Sequence, residues 1–553
     1  MSQNTYGLMQ DRPLLISTLI EHAARFHPDA KIVSRLPEGG LHRTDWKGVA
    51  DRSRQLANAL QSLGVKQGDR VATLAWNSYR HLALYYGVSG TGAILHTVNP
   101  RLFPEQIEYI VNHAEDEVLF FDISFAALVQ QIAPQLKTVK TYVVMTNRAH
   151  MPDLDLPDLR CFDELLDAHS TEYDWPEFDE RCASTLCYTS GTTGQPKGVL
   201  YSHRSTMLHT LMELSPDTFG IHSNETMLLV VPMFHANAWG MPYAAAMAGA
   251  QLVFPGPRLD GESLYQLMQG EGVTFSQGVP TVWLMLFQYL DKNPQLDPRS
   301  LGVKRVGIGG AAVPRSMLER FEQQFGAVVV QGWGMTETSP IGVVSQLLPK
   351  HQATPPQELV KIKLKQGRGV WGVDIKIVDV DGNVQPWDGV AYGELFVRGP
   401  WIASGYYGNK APDLLDAQGY FPTGDVATID PDGFLQIIDR SKDVIKSGGE
   451  WISSIDVENA ALSHPGVQEA AVIGVSHPKW QERPLLLVVR AAGSTVMPRE
   501  LIDFLGAHVA RWWLPDEVVF VESLPHTATG KLLKTQLREQ YRDFQLSAGS
   551  AFN

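Results

Sequence analysis

Apolar positions along the first 180 residues follow two alternating rhythms. Residues 14–26 carry apolar side chains at helical spacing, and 30–34 read as a short strand. Residues 46–63 predict an amphipathic helix that stops at Gly64. Residues 70–76 predict a strand, and 79–90 a helix. The rhythm continues with strands at 225–232, 251–254 and 304–309, and helices at 243–249, 264–271 and 281–293. Such βα alternation predicts a doubly wound α/β layer structure. From about Gly369 the pattern changes. Residues 373–380, a turn at Asp381-Gly382-Asn383, and 393–398 predict hairpin strands and a small β-barrel-like unit. The last hundred residues change again, with helices at 455–463 and 499–510 and strands at 467–475 and 484–490. They predict a small, mobile α+β domain. The charged run Asp439-Arg440-Ser441-Lys442 is the expected hinge. The expected division is an N-terminal domain of residues 1–438, a hinge at 439–442 and a C-terminal lid of 443–553.

The chain has 553 residues, too many for one core. Its formal charge of −14 excludes a general nucleic-acid binder, whose footprint is a basic excess. A local basic pocket for phosphates is compatible with it. Three cysteines, Cys161, Cys182 and Cys187, give no disulfide framework, which favours a reducing cytoplasm. Cys187 stands in an apolar run and reads as a small buried hydrophobe rather than a nucleophile. The N-terminus lacks the basic start and apolar stretch of a secretory signal. No run of about 18 apolar residues occurs, so no transmembrane segment is expected. Peripheral membrane contact stays open, because a greasy substrate is collected at such a surface.

The strongest chemical signal is Tyr188-Thr189-Ser190-Gly191-Thr192-Thr193-Gly194-Gln195-Pro196-Lys197-Gly198. An apolar strand precedes it, and residues 202–214 predict a helix after it. Its glycines allow tight turns that aim backbone N–H groups at a polyphosphate, the hydroxyls add donors, and Lys197 adds positive charge. It is not a Walker A loop, because the lysine precedes the last glycine, and this excludes a P-loop ATPase.

The loop resembles the signature of the adenylate-forming superfamily, which includes acyl-CoA synthetases, luciferases and peptide-synthetase adenylation domains. Further matches follow in the family's order: Gln331-Gly332-Trp333-Gly334-Met335-Thr336-Glu337, Gly393-Glu394-Leu395, Thr423-Gly424-Asp425, Asp439-Arg440-Ser441-Lys442, Gly448-Gly449-Glu450 and Gly530-Lys531. The stretches Val231–Trp239 and Lys446–Ile452 resemble the bacterial medium- and long-chain fatty acyl-CoA synthetases in particular. The resemblance implies ATP, Mg²⁺ and coenzyme A as cofactors, a fatty acid as substrate, and a homodimer.

It also implies roles. Thr189 and Glu337 would hold Mg²⁺, a hard cation that takes oxygen ligands. Ser190, Gly191, Thr192, Thr193, Gly194 and Lys197 would hold the phosphates. Gln331, Gly332, Trp333, Thr336 and Ala311 would surround the nucleotide, with Trp333 stacking on adenine where many relatives have tyrosine. Asp425 would accept from the ribose hydroxyls and Arg440 would add a second ribose contact. Lys531 would bridge the attacking carboxylate and the α-phosphate. A rotation about Lys442 would then present Gly448, Gly449 and Glu450 to the thiol, while Lys446 and Trp451 help close the adenylate site. His235 would lie near the acyl carbonyl, and Trp239 would gate an apolar tunnel walled by Phe234, Gly309 and Gly310. Amino-acid-activating relatives carry aspartate in place of His235, which argues against an amino-acid substrate.

Two rival readings remain at this level. One is another adenylate-former, such as a ligase for a short methylthio or aryl acid. The other is a non-catalytic acyl-nucleotide binder, which should have lost Lys531 or Glu337; this chain keeps both.

Overall fold

The computed structural model describes residues 7–189, 195–408, 414–447, 450–526 and 532–546, with residues 450 and 451 described by their backbone alone. Among these, the strands form four sheets of nine, seven, four and five strands.

The nine- and seven-stranded sheets build the large layered body. Most of their neighbouring strands are parallel, as alternating βα units require. The chain does not fill the sheets in sequence order. Lys31–Arg35 pairs with Gln251–Phe254, more than 200 positions away, and joins the nine-stranded sheet. Arg70–Leu74 instead pairs with Ile94–Thr97 and Val118–Phe121 in the seven-stranded sheet.

The helix Tyr79–Gly90 lies within this body, and all twelve of its residues are buried. A helix with apolar and aromatic side chains around most of its circumference is enclosed in this way. Its tyrosines reach the other sheet's connections: the Tyr86 hydroxyl donates to the Pro242 carbonyl at 2.8 Å, and the Tyr85 hydroxyl to the Met233 carbonyl. The polar residues it buries find partners, Ser89 among them, whose hydroxyl donates to the Ser184 carbonyl at 3.0 Å. Arg80 pairs with Glu38 at 2.7 Å, and His81 meets Thr73 Oγ1 at 3.0 Å, burial holding the imidazole down to about 4.

The expected β unit is a four-stranded antiparallel sheet, Asp374–Val378, Tyr392–Arg398, Phe421–Ile429 and Leu435–Arg440. The C-terminal unit packs Ser454–Leu462 and Pro498–Leu505 on a sheet whose longest strands are Val467–His477 and Gln481–Arg490. Residues 439–442 join the two units. Asp439 is 1% exposed; its Oδ2 accepts from the Ser454 backbone N–H at 3.0 Å and from the Ser454 hydroxyl. Asp443 forms an ion pair with Arg538.

One local expectation is corrected. The phosphate loop does not run from strand to helix. Ala183–Tyr188 is followed by a second strand, Gly198–Ser202, antiparallel to it, with Tyr188 opposite Gly198. The loop therefore closes a β-hairpin, and the helix His203–Leu214 begins only after it, capped by Ser202. The expected phosphate contacts Ser190, Gly191, Thr192, Thr193 and Gly194 lie outside the described residues.

Candidate active site

A cleft of about 1800 Å³ opens where the strand ends of the large sheets meet the small β unit and the C-terminal domain. Thr189 and Lys197 enter it from the two sides of the hairpin. The Thr189 N–H donates to the Lys197 carbonyl at 2.9 Å, and Thr189 Oγ1 accepts from the Lys197 N–H at 3.4 Å. The loop is thus pinched at its base, and the Lys197 ammonium stands 4.8 Å from the centre of the Tyr406 ring.

Glu337 follows on the next wall and is 6% exposed. The Tyr406 hydroxyl donates to its Oε1 at 2.7 Å. Burial raises its carboxyl above the ordinary carboxylate range, and Arg440 and Lys197 pull the other way. A divalent cation at this wall would favour the charged form, so the donor fits the expected Mg²⁺. Among the described residues no three metal-ligating side chains gather. A magnesium ion held by Glu337 and Thr189 would take its other oxygens from phosphate and water. Thr336, beside Glu337, lines the cleft, and its carbonyl accepts from the Tyr201 hydroxyl at 2.6 Å. Tyr406 was not anticipated; nothing in the surrounding sequence distinguishes it from an ordinary loop tyrosine.

Asp425, the expected ribose acceptor, is 3% exposed and does not itself line the cleft; it lies behind Trp333 and Arg440, which do. Asp425 sits opposite Arg440 in the antiparallel ladder, and Arg440 Nε lies 2.8 Å from Asp425 Oδ1. Trp333 Nε1 donates to the other oxygen, Oδ2, at 2.8 Å. The two carboxylate oxygens thus face different donors, one from the strand ladder and one from the indole. The Trp333 ring lies across Gly342, where an added Cβ would fall 2.5 Å from the indole. The tryptophan therefore depends on the missing side chain at position 342. Gly332 also lines the cleft.

Gln331 does not line the cleft. It is 1% exposed; its amide donates to the carbonyls of Leu364 and Lys365 at 3.0 and 2.9 Å, and its oxygen accepts from Val313 N–H at 3.2 Å. It ties loops behind the site instead of touching a nucleotide.

On the acid side, His235, Trp239, Gly309, Gly310 and Ala311 all line the cleft. A Cβ on Gly309 would stand 3.0 Å from the Gly332 carbonyl oxygen and 3.3 Å from the Trp239 ring, so Trp239 lies directly on this glycine. Trp239 ends a left-handed run: Ala236, Asn237, Ala238 and Trp239 have φ of 42, 54, 50 and 56°. Left-handed helix costs L-residues about 1–2 kcal/mol each. Val230, Val279, Val282 and Met285 add apolar lining to the same cleft. Phe234 does not contribute. It is 3% exposed and packs edge-on against Trp76. Cys187 is 1% exposed, with its thiol pushed up to about 11 by burial, as a packed residue requires.

The joining segment contributes Lys442, and the C-terminal domain contributes Lys534 and the pair His526 and Leu532, which bridge each other across residues 527–531; all line the cleft. Lys531, Gly448 and Gly449 lie outside the described residues, as do the side chains of Glu450 and Trp451. Lys446 does not line the cleft; its backbone N–H donates to Glu482 Oε2 at 2.9 Å, inside the C-terminal domain.

Residues 20–407 match the family model of the AMP-binding enzyme, and residues 456–531 that of the AMP-binding enzyme C-terminal domain. The 3-methylmercaptopropionyl-CoA ligase of Ruegeria pomeroyi is 51% identical over 97% of this chain and 99% of its own. The medium-chain-fatty-acid–CoA ligase of Ectopseudomonas oleovorans is 46% identical over 99% of both chains. Among solved structures, the anthranilate CoA ligase AuaEII in complex with anthranoyl-AMP superposes with a TM-score of 0.84 over 96% of this chain and 99% of that one, at 24% identity. The cofactors of such ligases are ATP, Mg²⁺ and coenzyme A, which suit the walls described above. The chain belongs to the AMP-binding enzyme family and is an AMP-forming acyl-CoA ligase.

Proposed function

We propose that this ligase activates an aliphatic carboxylic acid whose chain is uncharged and transfers the acyl group to coenzyme A. The observation that carries this reading is the meeting of two walls in one cleft. Trp333, Glu337, Arg440 and Lys197 form a polar wall for the nucleotide, with Asp425 held behind it by Trp333 and Arg440, and Trp239, Gly309, Val230 and Val282 form an uncharged one. In the first half-reaction a carboxylate oxygen bonds to the α-phosphorus, and the bond to the β-phosphate breaks to release pyrophosphate. Two anions must approach, so catalysis depends on positioning and on positive charge. Lys197 supplies charge on one side, and Lys531 on the other, in a segment whose described flanks, His526 and Leu532, face the cleft. In the second half-reaction the thiol sulfur bonds to the acyl carbon, and the bond to AMP breaks. Rotation of the C-terminal domain about residues 439–442 brings Gly448 and Gly449 forward for that step.

The substrate is read first as a short thioether acid of the size of 3-methylmercaptopropionate, supported by the named relative at 51% identity. A medium-chain fatty acid is the second reading, favoured by the apolar lining from Val230, Val279, Val282 and Met285. Each buried methylene is worth roughly 0.8 kcal/mol, so a long pocket rewards added carbons until it ends. A panel of linear acids of rising length, with 3-methylmercaptopropionate included, decides between them when scored by pyrophosphate release and by AMP formation with coenzyme A. Specificity that climbs to octanoate or beyond selects the second reading. A preference for 3-methylmercaptopropionate over octanoate selects the first. A preference for a charged or amino acid removes both. All three cysteines are free, which supports a cytoplasmic location for the enzyme.

A further inference from the structure

The left-handed run Ala236–Trp239 begins directly after His235 and ends on Trp239, so both cleft residues flank or close it. Backbone of this kind persists only where the surroundings over-determine it, and it concentrates at functional sites. Here the surroundings are specific. Asn237, midway between the two cleft residues, is 4% exposed. Its Nδ2 donates to Thr185 Oγ1 at 3.0 Å, and its Oδ1 accepts from Cys187 Sγ at 3.4 Å and from the Tyr85 hydroxyl at 3.5 Å. Thr185 and Cys187 belong to Ala183–Tyr188, the strand that ends at the base of the phosphate loop. Just before the run, Asn77 holds the chain in the same manner. Its amide donates to the Leu229 and Val231 carbonyls at 2.7 and 2.8 Å, and its oxygen accepts from the Met233 N–H at 2.7 Å.

Asparagine suits position 237 for two reasons. It tolerates the left-handed region better than most residues, because its short polar side chain bonds locally. Its amide also donates and accepts at once, which the Thr185 and Cys187 pair requires. We infer that Asn237 is a positioning residue: it fastens the acid-binding turn, and with it Trp239, to the strand that carries the phosphate loop, so that the acid's reach is measured from the site of phosphoryl attack. This rests on the ligase reading above and deepens it. A rigid tie of that kind makes discrimination among acids depend on a residue that touches neither acid nor nucleotide.

The test uses the full chain with ATP, coenzyme A and the panel of linear acids. Asn237→Gly keeps the left-handed backbone accessible and removes only the tie. Thr185→Val removes the acceptor and keeps the shape. In both variants the ratio of kcat/KM between the preferred acid and one two methylenes different should shrink by about tenfold, since misplacement by an ångström is enough for changes of that size. KM for ATP should stay within about threefold, a change smaller than the loss of one good hydrogen bond produces. Unchanged acid ratios in both variants, whatever their melting temperatures, overturn the inference. If Asn237→Gly fails to fold, Thr185→Val decides by the same ratio. Absence of acid-dependent pyrophosphate release in the unsubstituted enzyme is a different outcome, and it removes the ligase reading itself.

Discussion

Replacing Trp333 by phenylalanine separates the hydrogen bond that this side chain makes in the structure from the stacking expected of its ring. The ring remains and can still face a base, but the Nε1 donor to Asp425 Oδ2, at 2.8 Å, is lost. The acceptor is a carboxylate 3% exposed, so water does not freely replace the donor. A hydrogen bond to a charged group contributes about 1.5–3 kcal/mol. Part of that is recovered because Arg440 still holds Oδ1 at 2.8 Å. The expected loss in kcat/KM for ATP is therefore near the lower bound, roughly tenfold. Because phenylalanine also offers less stacking surface, the size of the loss does not identify its cause. The comparison of ATP with 2′-deoxy-ATP does. If Trp333 acts on the ribose through Asp425, the variant should discriminate less between the two nucleotides than the intact enzyme. The assay is acid-dependent pyrophosphate release at subsaturating nucleotide, with saturating acid. Equal losses for both nucleotides would confine Trp333 to stacking and refute the account of the Asp425 pair.

Further outcomes follow from the same walls. Glu337→Gln should lower activity and make it respond to added Mg²⁺; because burial raises the carboxyl's pKa, the intact enzyme should itself need more Mg²⁺ as pH falls, and this pH dependence should vanish in the variant, as Mg²⁺ titrations across pH would show. Lys531→Ala should abolish acyl-adenylate formation and largely spare thioester formation from supplied acyl-adenylate; equal loss in both assays would contradict the two-conformation mechanism. Gly309→Val puts atoms within 3.0 Å of the Gly332 carbonyl and 3.3 Å of Trp239. Overpacking of this kind costs about 1–3 kcal/mol, seen as a lower melting temperature, and the acid profile should shift toward shorter chains.

Much of the fold is legible in local pattern because its signals are local. The helix Tyr79–Gly90 and the strand Gln251–Phe254 fall where periodicity places them. What periodicity lacks is partnership. Nothing in Lys31–Arg35 announces that its neighbour in the sheet is Gln251–Phe254 and not Arg70–Leu74. The hairpin around the phosphate loop is hidden for a related reason. Gly198–Ser202 is only five residues long and opens with the loop's own last glycine, so it reads as part of the loop until its pairing is seen. Of the motif residues expected in the site, Lys197, Glu337, Trp333 and Trp239 line the cleft, whereas Asp425 stands just behind it. Gln331 was misplaced because a polar residue beside a glycine invites a ligand role, whereas its amide is spent on buried carbonyls. Asn77 and Asn237 carry no local signal. Their importance lies in backbone conformation, which a residue type merely permits.

At the end of the strand Leu435–Arg440, where the hinge is proposed, two neighbouring residues face different partners. Arg440 meets Asp425, where the ribose is expected, while Asp439 grips Ser454 of the C-terminal domain. The strand between them is continuous, so a shift at one residue is felt at the next. Thermodynamic linkage then runs in both directions. A posture of the C-terminal domain that improves the setting of Arg440 tightens nucleotide binding, and bound nucleotide favours that posture by the same factor. Converting the nucleotide to the acyl-adenylate, or releasing AMP, would thereby alter the free-energy balance between domain orientations without any separate sensor. The order of the two half-reactions can thus be written into a single peptide unit, as a difference in what its two side chains hold.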